Sequence, residues 1–175
     1  ILPVPEDAPP APVAHTVRGR PERTWRYLDA DGNTLGIVWR FTTSDGGKEV
    51  LPQTFCRNET TGKTEWRGLS FPEPRPLYGL DRLAARLEST VIITEGEKCA
   101  DVAQAQLGEL VSVSWPGGGK AVDKVDWSPL AGRKVVLWAD CDAQRDKKTG
   151  EILPETKQPG WKTMQRLAEL LHALG

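Results

Sequence analysis

Apolar residues follow two different rhythms along this chain, and the change falls near residue 90. Residues 24–73 read as β structure. TWRYLDADGNTLGIVWRFT places apolar and aromatic runs on either side of Asp29-Ala30-Asp31-Gly32-Asn33, a hairpin turn signal. VLPQTFCRNETTGKTEWRGLSF predicts a second hairpin, turning near Thr60-Thr61-Gly62-Lys63. Pro72 to Pro76 interrupts regular structure. LYGLDRLAARLES then predicts a short amphipathic helix with Leu80, Leu83, Ala84 and Leu87 on one face. From Val91 the rhythm changes. VIIT, VSVSW and KVVLWAD are short, continuous, β-branched runs, each followed by a turn and a helical or irregular stretch. Such runs predict a parallel sheet covered on both faces by helices. GWKTMQRLAELLHAL predicts the last helix, with Met164, Leu167, Leu170 and Leu171 at helical spacing. Ala143 to Pro159 reads as an inserted surface loop or small hairpin.

The predicted organisation is a proline-rich linker (1–22), a mainly-β subdomain ending in a short helix (23–90) and an α/β domain (91–175). The linker reading rests on five prolines between Pro3 and Pro12. A start at Ile1, not Met, leading into such a run points to a piece of a longer protein; a processed N-terminus is the alternative. The net charge of −1 over 175 residues means that contact with nucleic acid requires a local patch. Cys56, Cys99 and Cys141 are odd in number and far apart, with no C-x-x-C pair, so a disulfide framework and a structural zinc site are both disfavoured. With no membrane-length apolar run and no signal-peptide pattern, a reducing, cytoplasmic setting and no membrane partner are expected.

The candidate chemistry is acidic. In a parallel sheet, functional groups gather at the carboxyl ends of strands. Glu95 follows the first apolar run there, and Asp140 and Asp142 follow the third. Two aspartates separated by one residue project to the same side if the backbone stays extended. Three carboxylates converging on one crevice would repel one another without a cation. A hard divalent ion with oxygen ligands, Mg2+ above all, relieves that repulsion and suits phosphoryl transfer. The plainer readings are a surface turn for D-x-D and a first-turn helix acid for Glu95. Glu97, three residues after Thr94, fits a capping box.

The run TEGEKCAD, with WPGGGKA and LWADCD, resembles the Toprim domain shared by bacterial-type DNA primases, topoisomerases and some nucleases. The likeness covers Val91 to Gly175 and is nearest to the primase–helicases of phages and mobile elements, with RPLYGLDRL similar to what precedes the domain there. It implies a Toprim-like sheet flanked by helices, with Glu95, Asp140 and Asp142 as catalytic and metal-binding residues and Mg2+ (or Mn2+) as the ion. It further implies primer synthesis from ribonucleoside triphosphates on a single-stranded DNA template, beside a helicase domain or partner. Cys99 stands where primases often carry an aspartate. The family sheet usually has a fourth strand after its final helix, so truncation before that strand is expected. A Toprim nuclease and a non-catalytic DNA-binding module serving a helicase are the alternatives. A topoisomerase would need an attacking tyrosine, and Tyr27 and Tyr78 both stand in structural contexts.

WPGGGKAVDK fails as a P-loop, because Ser114 stands where glycine is needed and Ala121 where Ser or Thr is needed. Gly118, Gly119 and Lys120 still form a candidate phosphate-binding turn, with Gly96 as a point of close backbone approach. A plain tight turn is the equal alternative. Trp25, Arg26, Tyr27, Trp39, Arg40, Arg57 and Trp66 in the β segment suit either a single-strand track or a small core, and core is expected for most of the tryptophans.

Overall fold

The computed structural model describes residues 1–175 as two compact units, Ile1–Pro72 and Glu73–Gly175. The first is a four-stranded antiparallel meander of β1 (Arg23–Leu28), β2 (Thr34–Thr42), β3 (Lys48–Arg57) and β4 (Thr64–Arg67), in that spatial order. The two predicted turns are present, and a third at Thr43–Gly47 joins β2 to β3. Both faces bury apolar side chains: the register puts Trp25, Tyr27 and Val38 on one face and Ile37, Trp39, Phe41 and Phe55 on the other. Burial of a large aromatic stabilises by a few kcal/mol, so a sheet this small depends on several of them together. Residues 1–22 hold no regular element, yet they are fastened to this sheet. Ile1 donates to the Phe55 carbonyl, Val4 N–H to the Thr34 carbonyl, and the Trp66 indole to the Pro9 carbonyl.

The second unit holds a short helix α1 (Leu80–Ala85), then β5 (Val91–Thr94), α2 (Glu97–Gln106), β6 (Val111–Val113), β7 (Val135–Trp138) and α3 (Pro159–His172). Its three strands are parallel in the order β6-β5-β7, so the first strand is central. Every residue of β5 and β6 is buried, as continuous apolar runs require. Leu83, Val91, Ile93, Val113, Trp115, Met164 and Leu167 share one core. The sequence reading assigns residues 73–90 to the β subdomain. In the structure they belong with the parallel sheet, because Leu77 and Leu83 are buried in that sheet's core.

The expectation of a sheet covered on both faces fails at β7. Val135 and Leu137 pack inward with the α3 side chains, whereas Val136 and Trp138 are 43% and 56% exposed. The reason is geometric: α2 packs on β5 and β6, and β7 is an edge strand beyond them. The predicted insertion is a small hairpin, bridged at Arg145–Ile152. Buried Gln158 clamps its base, accepting from Gln144 N–H and donating to the Gln144 and Leu153 carbonyls. No helix is long and apolar enough to cross a membrane.

Candidate active site

β5 and β7 are hydrogen-bonded neighbours in parallel register, Thr94 opposite Trp138. Their carboxyl ends therefore deliver Glu95 and the Asp140–Asp142 segment to the same edge of the sheet, where α3 begins. Gly160, in the first turn of α3, is where these groups meet. A Cβ placed on Gly160 would lie 2.8 Å from Glu95 Oε1, 3.0 Å from Asp142 Oδ2 and 2.9 Å from the Asp140 carbonyl oxygen. Glu95 and Asp142 thus reach a single point. Gly160 N–H donates to Asp142 Oδ2 at 2.6 Å, so the amino end of a 14-residue helix holds one carboxylate directly. Unpaired N–H groups and the helix dipole favour negative charge at such a position.

This arrangement changes two expectations. First, Asp140 and Asp142 do not share a side through extended backbone. Asp142 N–H donates to the Asp140 carbonyl at 3.1 Å, so the backbone between them is a tight turn and not an extended strand. Asp140 gives the meeting point its carbonyl, and the residue is exposed. Second, the helix end supplies part of the charge compensation that the sequence reading assigns to a cation alone. No group of three or more His, Cys, Asp or Glu side chains is arranged to hold a metal ion. Mg2+ does not require such a group: it binds through one or two carboxylates and keeps waters for substrate phosphates. The all-oxygen set of Glu95, Asp142 and the Asp140 carbonyl fits that ion and offers no soft ligand.

The capping box at Thr94 and Glu97 is not formed. β5 runs through Thr94, whose hydroxyl donates to the Gly96 carbonyl at 3.3 Å; α2 starts at Glu97, and Gly96 caps it without a side-chain bond. Glu97 is instead a buried acid at the first helical position, 7% exposed. Gly96 is extended, with φ −157°, and a Cβ there would meet nothing within 4 Å. The space beside it is open to a ligand.

The WPGGGK turn satisfies the plain reading geometrically. Gly117 and Gly118 have φ of 98° and 63°, a region glycine occupies without cost. The Trp115 indole donates to the Gly118 carbonyl, and Gly119 opens a short 3-10 helix, Gly119–Lys124, packed on α3 beside Thr163. Lys120 is exposed. Most of the tryptophans are core, with Trp25, Trp39, Trp115 and Trp127 buried. Tyr27 is fully buried. The Tyr78 hydroxyl donates to Asp101 at 2.7 Å, and burial, then that bond, push the phenol well above its usual range. Neither tyrosine is poised as a strand-cleaving nucleophile. Cys56, Cys99 and Cys141 form no disulfide.

Sequence reasoning missed two residues here. Gln158, which pins the hairpin next to the carboxylates, carries no motif signal. Exposed Trp138 could have been found from its place at the end of a strand, two residues before Asp140.

No protein-family model matches the chain, and no curated protein does. Among the solved structures similar in shape is a complex of bacteriophage T7 lagging-strand DNA polymerase interacting with primase domains of two gp4 subunits bound to an RNA/DNA hybrid and dTTP. The match has a TM-score of 0.48 and 17% identity, over 85% of this chain and 59% of that one. So distant a likeness leaves the assignment to the residues themselves.

Proposed function

We propose that the second unit is a Mg2+-dependent nucleotidyl-transfer module of Toprim type, acting as the catalytic core of a DNA primase. The observation that carries this reading is the meeting of Glu95 and Asp142 at the carboxyl ends of adjacent parallel strands, around the amino end of α3. In the proposal Glu95 and Asp142 hold the ion, and Asp140 contributes its carbonyl, with its carboxylate facing the substrate side. Bound Mg2+ would neutralise charge developing on the transferred phosphoryl group. Gly96 leaves room for the phosphates, and Gly118, Gly119 and Lys120 shape their far side. The substrates would be ribonucleoside triphosphates and a single-stranded DNA template. A helicase would be the partner, in the cytoplasm of a bacterial cell, with a phage or mobile element as the source.

The test is incubation with single-stranded DNA, labelled ribonucleotides and Mg2+. Extension products support primase activity, and shortened strands show a nuclease built on the same carboxylates. Asp142→Asn and Glu95→Gln should each abolish Mg2+-dependent activity with native folding. Retained activity in both would refute the assignment.

A further inference from the structure

The open face of β7 forms one wall of a groove of about 480 Å3 whose other wall is α2. This volume lies within the range of small-ligand sites. Trp138 lines one side, and Val102 of α2 and Leu107, just past its end, line the other. Trp138 and Val102 are both more than half exposed, an unusual state for two large apolar side chains facing one slot. The groove is charged at one end, the carboxyl edge of the sheet, and Gln106 lines the other. Lys98, in the first turn of α2, is its only basic lining residue, and Thr94 and Asp140 lie where it approaches the carboxylate pair.

We propose that this groove receives the base of the nucleotide whose phosphates are handled at Glu95 and Asp142; the inference rests on the metal-dependent reading above. An indole face opposite aliphatic side chains makes a slot for a flat aromatic ring, and bases stack on exposed aromatics with little regard to sequence. The charges gathered at the carboxyl edge of the sheet match the rest of such a ligand. Lys98 is complementary to phosphate, and Asp140 lies on the side where the ion would bind. A purely apolar ligand would leave Lys98 and Asp140 without a role, whereas a nucleotide uses both the apolar wall and the charged end. Trp138 is then a binding residue that fixes the base and does no chemistry.

The experiment is titration calorimetry in Mg2+ with two ligands, ATP and inorganic tripolyphosphate, on the wild type, Trp138→Ala and Trp138→Phe. Since Trp138 is exposed, its replacement leaves the core untouched. ATP should bind the wild type roughly ten-fold or more tighter than tripolyphosphate, the scale of one stacked base. Trp138→Ala should bring ATP down to the tripolyphosphate level, Trp138→Phe should keep most of the difference, and tripolyphosphate itself should be unaffected by either change. Wild-type-like ATP binding by Trp138→Ala, or equal weakening of both ligands, overturns the stacking site while the carboxylate reading stands. Absence of Mg2+-dependent binding of either ligand to the wild type overturns the carboxylate reading, and this inference with it.

Discussion

Gly160→Ala separates the carboxylate site from the helix that carries it. On propensity alone the change should help α3, since alanine is favoured over glycine by up to about 1 kcal/mol in a helix. The site decides otherwise. The new methyl group would lie 2.8 Å from Glu95 Oε1, 2.9 Å from the Asp140 carbonyl and 3.0 Å from Asp142 Oδ2. The Glu95 carboxylate ends a flexible side chain and can swing away cheaply. The Asp140 carbonyl is backbone in a tight turn and cannot. Overpacking of this kind costs about 1–3 kcal/mol. Set against the helix gain, the net expectation is destabilisation of roughly 0–2 kcal/mol, read by denaturant unfolding. The functional effect should be larger, because the least costly relief moves Glu95 away from Asp142. Mg2+ affinity, read by calorimetry in the presence of nucleotide, should fall at least ten-fold. Gly96→Ala is the control for the stability change alone, since its Cβ meets nothing within 4 Å and φ is −157°. A Gly160→Ala protein that is more stable than wild type and binds Mg2+ equally would refute the convergence of these groups.

Four further outcomes follow from the same geometry. Gly96→Ala should leave unfolding unchanged and weaken only ligand binding; a loss of stability above about 1 kcal/mol would show that the open space beside it is filled. Asp142→Asn keeps an acceptor for Gly160 N–H, so it should unfold within about 1 kcal/mol of wild type while losing Mg2+-dependent activity. Leu167→Ala empties a fully buried site in the α3 core and should cost about 2–5 kcal/mol by denaturant unfolding. Gln158→Ala removes the clamp under the hairpin and should speed amide hydrogen exchange at Gln144, with little change at β5.

The strands of the second unit were legible because β5 and β6 are buried on both sides, so their sequences are apolar at every position. The same rule misreads β7: VVLW looks continuous, yet α2 covers β5 and β6 and leaves one face of β7 open, so only alternate residues face the core. Sheet order cannot be read from such runs, so the adjacency of Glu95 and Asp142 was conditional until β5 and β7 were seen paired. The relation of Asp140 to Asp142 depended on a backbone turn at Cys141 that no residue type announces. Thr94 and Glu97 have the spacing of a capping box, but pairing with Trp138 keeps Thr94 in the strand. The proline-rich start reads as linker by composition, and only the hydrogen bonds of Ile1, Val4 and Pro9 show it laid along the sheet.

Crystals of the protein soaked in Mn2+ with nucleotide, measured at the manganese absorption edge, test the central claim most directly. The account predicts an anomalous peak in contact with Glu95 and Asp142 at the amino end of α3, lost in Asp142→Asn. A site without manganese there, or a peak that survives in Asp142→Asn, would contradict it.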